Sequence, residues 1–107
     1  MAAEKLWLGD FELDVAGYQL TRYGRTIKLE RIPMALLLLL VERRDQLVMR
    51  EEIAGRLWAN AFLDVESSIN TAVLKLRRAL EDDPRNPVFL QTVSGRGYRF
   101  TCPVTGG

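Results

Sequence analysis

The sequence predicts an α+β domain in which short antiparallel strands precede three helices and the chain closes on a β-hairpin. Three observations carry that prediction. Across residues 6–29 apolar and polar side chains alternate in short runs broken by Ala-Gly and Tyr-Gly, the pattern of half-buried strands joined by tight turns. Residues 34–41 are apolar throughout, and residues 66–82 place Ile69, Val73, Leu76 and Leu80 at steps of four, three and four, the spacing of one helical stripe. Residues 94–97, Ser-Gly-Arg-Gly, form a glycine-rich turn between a pair of strand-like runs.

A chain of 107 residues suits a single core, and 48% hydrophobic with 27% charged residues is a composition that folds. Formal net charge is +1, with residues 1–65 at −1 and residues 66–107 at +2. Any nucleic-acid surface is therefore a local patch and not a global field. Histidine is absent and Cys102 is the single cysteine. That rules out an intrachain disulfide, a cysteine–histidine nucleophile pair and a structural zinc site, and it fits a reducing cytoplasm. Cys102 reads as packing at a strand end. The first residues lack the basic start and long apolar segment of a signal peptide. The apolar run 34–41 is far shorter than the roughly 20 residues of a membrane span. With no phosphate loop and no metal cluster either, neither catalysis nor a cofactor is expected.

In chain order, Phe11, Leu13 and Val15 alternate with Glu12 and Asp14, Tyr18 and Leu20 with Gln19 and Thr21, and residues 26–29 alternate once more. Phe11, Leu13, Leu20, Ile27 and Leu29 form the apolar face of this meander. A sheet so small needs something to lean on. That support begins near Pro33, tolerated in a first helical turn. The leucine-rich run that follows has few β-branched residues, so it reads as a helix buried on several sides. Residues 42–45, Glu-Arg-Arg-Asp, end it at the surface. Leu47-Val48 is a brief extended link. Residues 50–58 form a second helix with Ile53, Leu57 and Trp58 inward and Glu51 and Glu52 in the first turn, where the helix dipole favours acids. Gly55 weakens this helix, and close approach to another helix is the expected reason. Residues 59–65 form a loop holding Phe62 and Leu63, and Asp64 or Glu66 starts the third helix. Pro84-Arg85-Asn86-Pro87 breaks the chain before the hairpin strands, 88–93 and 98–101.

The third helix divides into two faces. Ala72 and Ala79 widen the apolar stripe, and the opposite face carries Ser67, Asn70, Thr71, Leu74, Lys75 and Arg78. From Ser67 to Leu80 there are three basic residues and no acid. A helix entering a DNA major groove needs this division, with side chains for base edges and phosphates backed by a core anchor. An ordinary amphipathic helix with a solvated outer face shows the same pattern. The acidic groups 51–52 and 81–83 read as helix-start charge and solvated surface.

Strands, three helices and a hairpin, with the second and third helices arranged as a helix-turn-helix, make a winged helix. The chain resembles the OmpR/PhoB-type DNA-binding domain of bacterial transcriptional regulators. The resemblance spans residues 6–103 and leaves 104–107 as a tail or the start of a linker. It rests on Leu47-Val48-Met49-Arg50-Glu51-Glu52-Ile53 with Leu57-Trp58, on residues 69–80, and most specifically on Leu90-Gln91-Thr92-Val93-Ser94-Gly95-Arg96-Gly97-Tyr98-Arg99-Phe100.

The resemblance implies a four-stranded N-terminal sheet, three helices and a C-terminal hairpin wing. It also implies sequence-specific binding of double-stranded DNA, with the third helix in the major groove and the wing on backbone or minor groove. By position Asn70, Thr71 and Lys75 face bases, and Ser67, Ser68 and Arg78 face phosphates. Arg77 lies nearer the core, where bonds to carboxylates or carbonyls inside the domain are expected beside a phosphate contact. Arg96 is the wing contact. The loop 59–65 is a candidate surface for RNA polymerase. The chain departs from the family in three places. Leu74 stands where members often carry a basic phosphate contact. Ser94 stands where the wing arginine often precedes the first glycine. Residues 30–33, Glu-Arg-Ile-Pro, replace the usual Thr-Pro before the first helix. The start at Met1 resembles regulators whose DNA-binding domain comes first, membrane-tethered ones among them, with the remainder C-terminal. A cytoplasmic monomer that pairs on DNA is expected, since no heptad pattern is left over. A winged helix that docks a protein instead of DNA is the competing function, favoured by the near-neutral charge and Leu74.

Overall fold

The alternating N-terminal segment forms four short strands, β1 (Lys5–Leu8), β2 (Phe11–Asp14), β3 (Gln19–Arg22) and β4 (Arg25–Ile27), in a computed structural model that describes residues 5–58 and 65–106. Their antiparallel register sets Leu6 opposite Leu13, Leu13 opposite Leu20 and Leu20 opposite Ile27, so one face of the sheet is apolar. Leu6 and Leu8 join Phe11, Leu13 and Leu20 in the core, while Ile27 and Leu29 are only half-buried.

α1 (Arg31–Glu42) follows at once, with Pro33 in its first turn. Pro33, Met34, Leu36, Leu37, Leu39, Leu40 and Val41 are all buried. A helix apolar on nearly every side is stable only when enclosed. Here it packs on both later helices and on the wing, and shares one core with the sheet.

β5 (Leu47–Met49) runs directly into α2 (Arg50–Leu57). The segment expected to be a mere link is thus a strand. Ile53 is the buried anchor of α2, and Glu52 is ion-paired to Arg43 beyond the end of α1. The close helix approach expected at Gly55 is absent. Gly55 is exposed, and a Cβ built there meets nothing within 4 Å. Residues 59–64, with Phe62, Leu63 and the helix start proposed at Asp64, lie outside the described residues.

α3 (Val65–Leu80) buries Ile69, Ala72, Val73, Leu76 and Leu80, the stripe its spacing demands. It ends where Glu81 takes a left-handed conformation (φ 55°). There the Glu81 N–H donates to the Arg78 carbonyl at 3.2 Å and the Asp82 N–H to the Arg77 carbonyl at 2.9 Å, the paired bonds of a Schellman stop. The reading of 81–83 as solvated surface fails at Asp82, which is 7% exposed. Its carboxylate accepts the backbone N–H groups of Val88 at 2.7 Å, Phe89 at 3.1 Å and Leu90 at 2.9 Å. Three otherwise orphaned donors account for a carboxylate in the interior.

The hairpin is β6 (Leu90–Val93) and β7 (Gly97–Phe100), and β5 pairs with β7 to make a three-stranded sheet ordered β5-β7-β6. Cys102 is buried after β7, and burial raises its thiol pKa above the ordinary value. The residues read as a tail require a correction. β8 (Val104–Gly106) pairs antiparallel with β1, so the first sheet has five strands, ordered β4-β3-β2-β1-β8, where four were expected. Without it β1 would be an open edge with unpaired backbone groups.

Candidate nucleic-acid interface

The outward surface of α3 follows from its period. With the core stripe on one side, Ser67, Thr71, Leu74 and Arg78 fall at steps of four, three and four along the opposite side, and all are exposed. Leu74, at 49% exposure, is the apolar member of this central line. Ser68 and Lys75 lie on the flank facing α1, and Asn70 and Arg77 on the flank facing the wing. The sequence-predicted base readers therefore do not form one row: Thr71 is central, and Asn70 and Lys75 stand on opposite edges.

Both edge residues already have partners. Lys75 Nζ donates to Glu30 Oε1 at 2.6 Å. Asn70 Oδ1 accepts from Arg50 Nη2 at 3.0 Å. Arg50 is the hub of this side. Its Nε donates to Glu66 Oε2 at 2.9 Å, its Nη1 to Tyr98 Oη at 2.9 Å, and its backbone N–H to the Arg96 carbonyl at 3.0 Å. One side chain thus joins the start of α2, the start of α3 and the wing. The hydrogen bond to Glu66 raises the Arg50 pKa, outweighing the opposing effect of burial.

A second clip ties the wing to the far end of α3. Arg77 Nη2 donates to the Leu90 carbonyl at 3.0 Å and to Thr92 Oγ1 at 2.7 Å. This is the inward bonding that its position foretold. Its Nε is buried without a hydrogen-bond partner. With Asp82 gripping the N–H groups of residues 88–90, the first wing strand is held from both its donors and its acceptors.

The hairpin tip is Ser94-Gly95-Arg96, all exposed, with Gly95 left-handed at φ 73°. Gly97 is there for space: a Cβ on it would stand 2.0 Å from the Val48 carbonyl oxygen. The tip backbone is fixed by Arg96 N–H donating to the Val93 carbonyl at 3.0 Å, so the Arg96 side chain projects from a braced turn. Arg50 and Glu30 were not among the sequence candidates. Arg50 carried a signal, because a cation in a first helical turn opposes the helix dipole and needs another reason to be there. Glu30 carried none locally. Residues 59–64 of the loop considered for RNA polymerase lie outside the described residues. Among those described, no helix is long and apolar enough to cross a membrane.

Residues 24–100 match the family model described as transcriptional regulatory protein, C terminal. The chain is 34% identical over 101 residues to the DNA-binding response regulator MtrA of Mycolicibacterium smegmatis, covering 94% of this chain and 44% of that protein. It therefore spans less than half the length of that relative. Among solved structures it is similar to the response regulator DrrB of Thermotoga maritima, described as an OmpR/PhoB homologue (TM-score 0.80, 31% identity, 90% of this chain and 44% of that one). It also shares the fold of the Klebsiella pneumoniae RstA DNA-binding domain, solved in complex with RstA box (TM-score 0.78, 22% identity, 91% of this chain and 96% of that one).

Proposed function

Since this chain belongs to the OmpR/PhoB-type family of transcriptional-regulator DNA-binding domains, we propose that it binds double-stranded DNA sequence-specifically in bacterial transcriptional regulation, with α3 in the major groove and the hairpin tip on backbone or minor groove. The observation that carries the assignment of surfaces is the exposed line Ser67–Thr71–Leu74–Arg78, flanked by Asn70 and Lys75, next to a wing clipped to the same helix at both ends. A helix and a wing tip tied together by these bonds suit a duplex, whose groove and flanking backbone lie side by side.

In this reading Thr71 meets bases from the centre of α3, its methyl suited to a thymine methyl, and Asn70 and Lys75 meet them from the edges. Ser67, Ser68 and Arg78 contact phosphates. Arg77 serves chiefly to hold the wing, with any phosphate contact secondary. Arg96 reaches DNA from the tip. The isolated domain is a monomer that pairs on DNA, which sedimentation at micromolar concentration checks: a dimer without DNA would refute it.

The exposed Leu74 and the small net charge favour one alternative, a winged helix that docks a protein. A salt titration separates the two. Affinity for duplexes enriched by this chain from a randomised pool should fall steeply as salt rises. A chain that enriches no duplex at low salt is not a DNA reader.

A further inference from the structure

We propose that Glu30 is a specificity-determining residue: it occupies the Lys75 ammonium in the free protein and on unrelated DNA, and yields it only where a base acceptor takes its place. This rests on the DNA-reading role of α3 argued above.

Glu30 stands at the N-cap position of α1, with extended backbone (φ −66°, ψ 164°). The short polar side chains favoured at an N-cap, those of Ser, Thr, Asp and Asn, accept a backbone N–H of their own helix, and glutamate is not one of them. The Glu30 carboxylate makes no such bond. It reaches across to α3 and meets Lys75 at 2.6 Å. The Glu30 side chain is 69% exposed and that of Lys75 43%. The pair is thus not a buried structural bridge. Exposed pairs hold weakly and exchange partners readily.

Its position decides what it can do. Lys75 lies on the edge of the outward surface and turns toward the start of α1, with Ser68 and Thr71 lining the same shallow groove. An ammonium held there is neutralised from within the protein. On a sequence whose bases offer no acceptor at this edge, Glu30 competes with the duplex phosphates for Lys75, and a Lys75 held by Glu30 releases no counterion. On a matching sequence a guanine O6 or N7 replaces the carboxylate. The charge that would otherwise add to binding of every duplex is withheld from all but the correct one. A chain with net charge of only +1 can keep its indiscriminate binding low by this means.

The test compares wild type, Glu30→Gln, Lys75→Met and the double variant on two duplexes, one enriched by the wild-type chain from a randomised pool and one a scramble of it. For Glu30→Gln the salt slope on the scrambled duplex should steepen by about 0.9, one further phosphate neutralised, while the slope on the enriched duplex stays unchanged. The ratio of the two affinities should fall at low salt. In the Lys75→Met background the Glu30→Gln change should vanish. Equal changes on both duplexes, no change on either, or an effect that persists without Lys75 would each overturn the proposal while leaving DNA binding intact. Failure of the wild type to enrich any duplex would overturn it together with the DNA-reading role.

Discussion

The guanidinium of Arg50 donates to the side-chain oxygen of Asn70 at 3.0 Å, so one of the two lone pairs of that oxygen is committed within the domain while both amide donors remain. Bidentate pairing with adenine would also draw on that oxygen, in competition with Arg50 or through its second lone pair. Presented this way, Asn70 offers a donor, suited to guanine O6 or N7 or to thymine O4. Asn70→Asp keeps the acceptor for Arg50 and strengthens it with charge, but removes the donor and turns a carboxylate toward the duplex. Binding to the enriched duplex should weaken by about 1–3 kcal/mol, with thermal stability equal to or above wild type. If stability and affinity fall together, Asn70 is a structural residue and not a reader.

Gly97→Ala tests whether the wing must sit against β5. Its Cβ would fall 2.0 Å from the Val48 carbonyl oxygen, in the strand pair that aligns Met49 with Gly97. The atoms it would meet, in Val48 and Met49, are all backbone, so no flexible side chain can yield. A loss of about 1–3 kcal/mol in denaturant unfolding is expected, with weakened DNA binding as the tip shifts. Gly95→Ala has open space but a left-handed backbone, and should cost about 1–2 kcal/mol. Wild-type unfolding of Gly97→Ala would mean that the strands separate without cost.

Asp82→Ala leaves the N–H groups of Val88, Phe89 and Leu90 without their acceptor, the last two in a buried site. Stranding buried donors costs about 1–3 kcal/mol or more, and hydrogen exchange at these three amides should accelerate ahead of the α3 amides. Uniform acceleration across the domain would show that Asp82 supports the whole fold and not the wing junction.

The features of this molecule that were legible in sequence are those fixed by local period. Ile69, Val73, Leu76 and Leu80 repeat at helical steps, and burial follows them without exception. Phe11, Leu13 and Leu20 alternate, and all three are buried. What was missed depends on partners far along the chain. Val104–Gly106 has too few residues for a pattern, and is a strand because β1 offers an edge. Leu47–Met49 is a strand because β7 lies beside it. Asp82 looks solvated in a run of acids until the donors six to eight residues on are counted. The outward face of α3 was readable, but its restraints were not: Glu30 lies 45 residues from Lys75, and Arg50 lies 20 from Asn70.

The wing tip allows the most direct separation of reading from holding. The Arg96 backbone is pinned twice, its N–H to the Val93 carbonyl and its carbonyl to the Arg50 N–H, each at 3.0 Å. Its side chain is exposed at the apex of the turn. Removing that side chain leaves the pins in place, so Arg96→Ala should change stability by under about 0.5 kcal/mol. If the guanidinium meets a phosphate, affinity for enriched and scrambled duplexes should fall by similar factors, and the salt slope should become shallower by about one unit. Arg96→Lys should restore the slope, because a point charge suffices for a phosphate. A loss confined to duplexes with AT-rich flanks would instead mark insertion into a narrow minor groove, where the negative potential is enhanced. Wild-type affinity with an unchanged slope would show that the wing stays off the DNA and that Arg50, Arg77 and Asp82 brace it for some other contact.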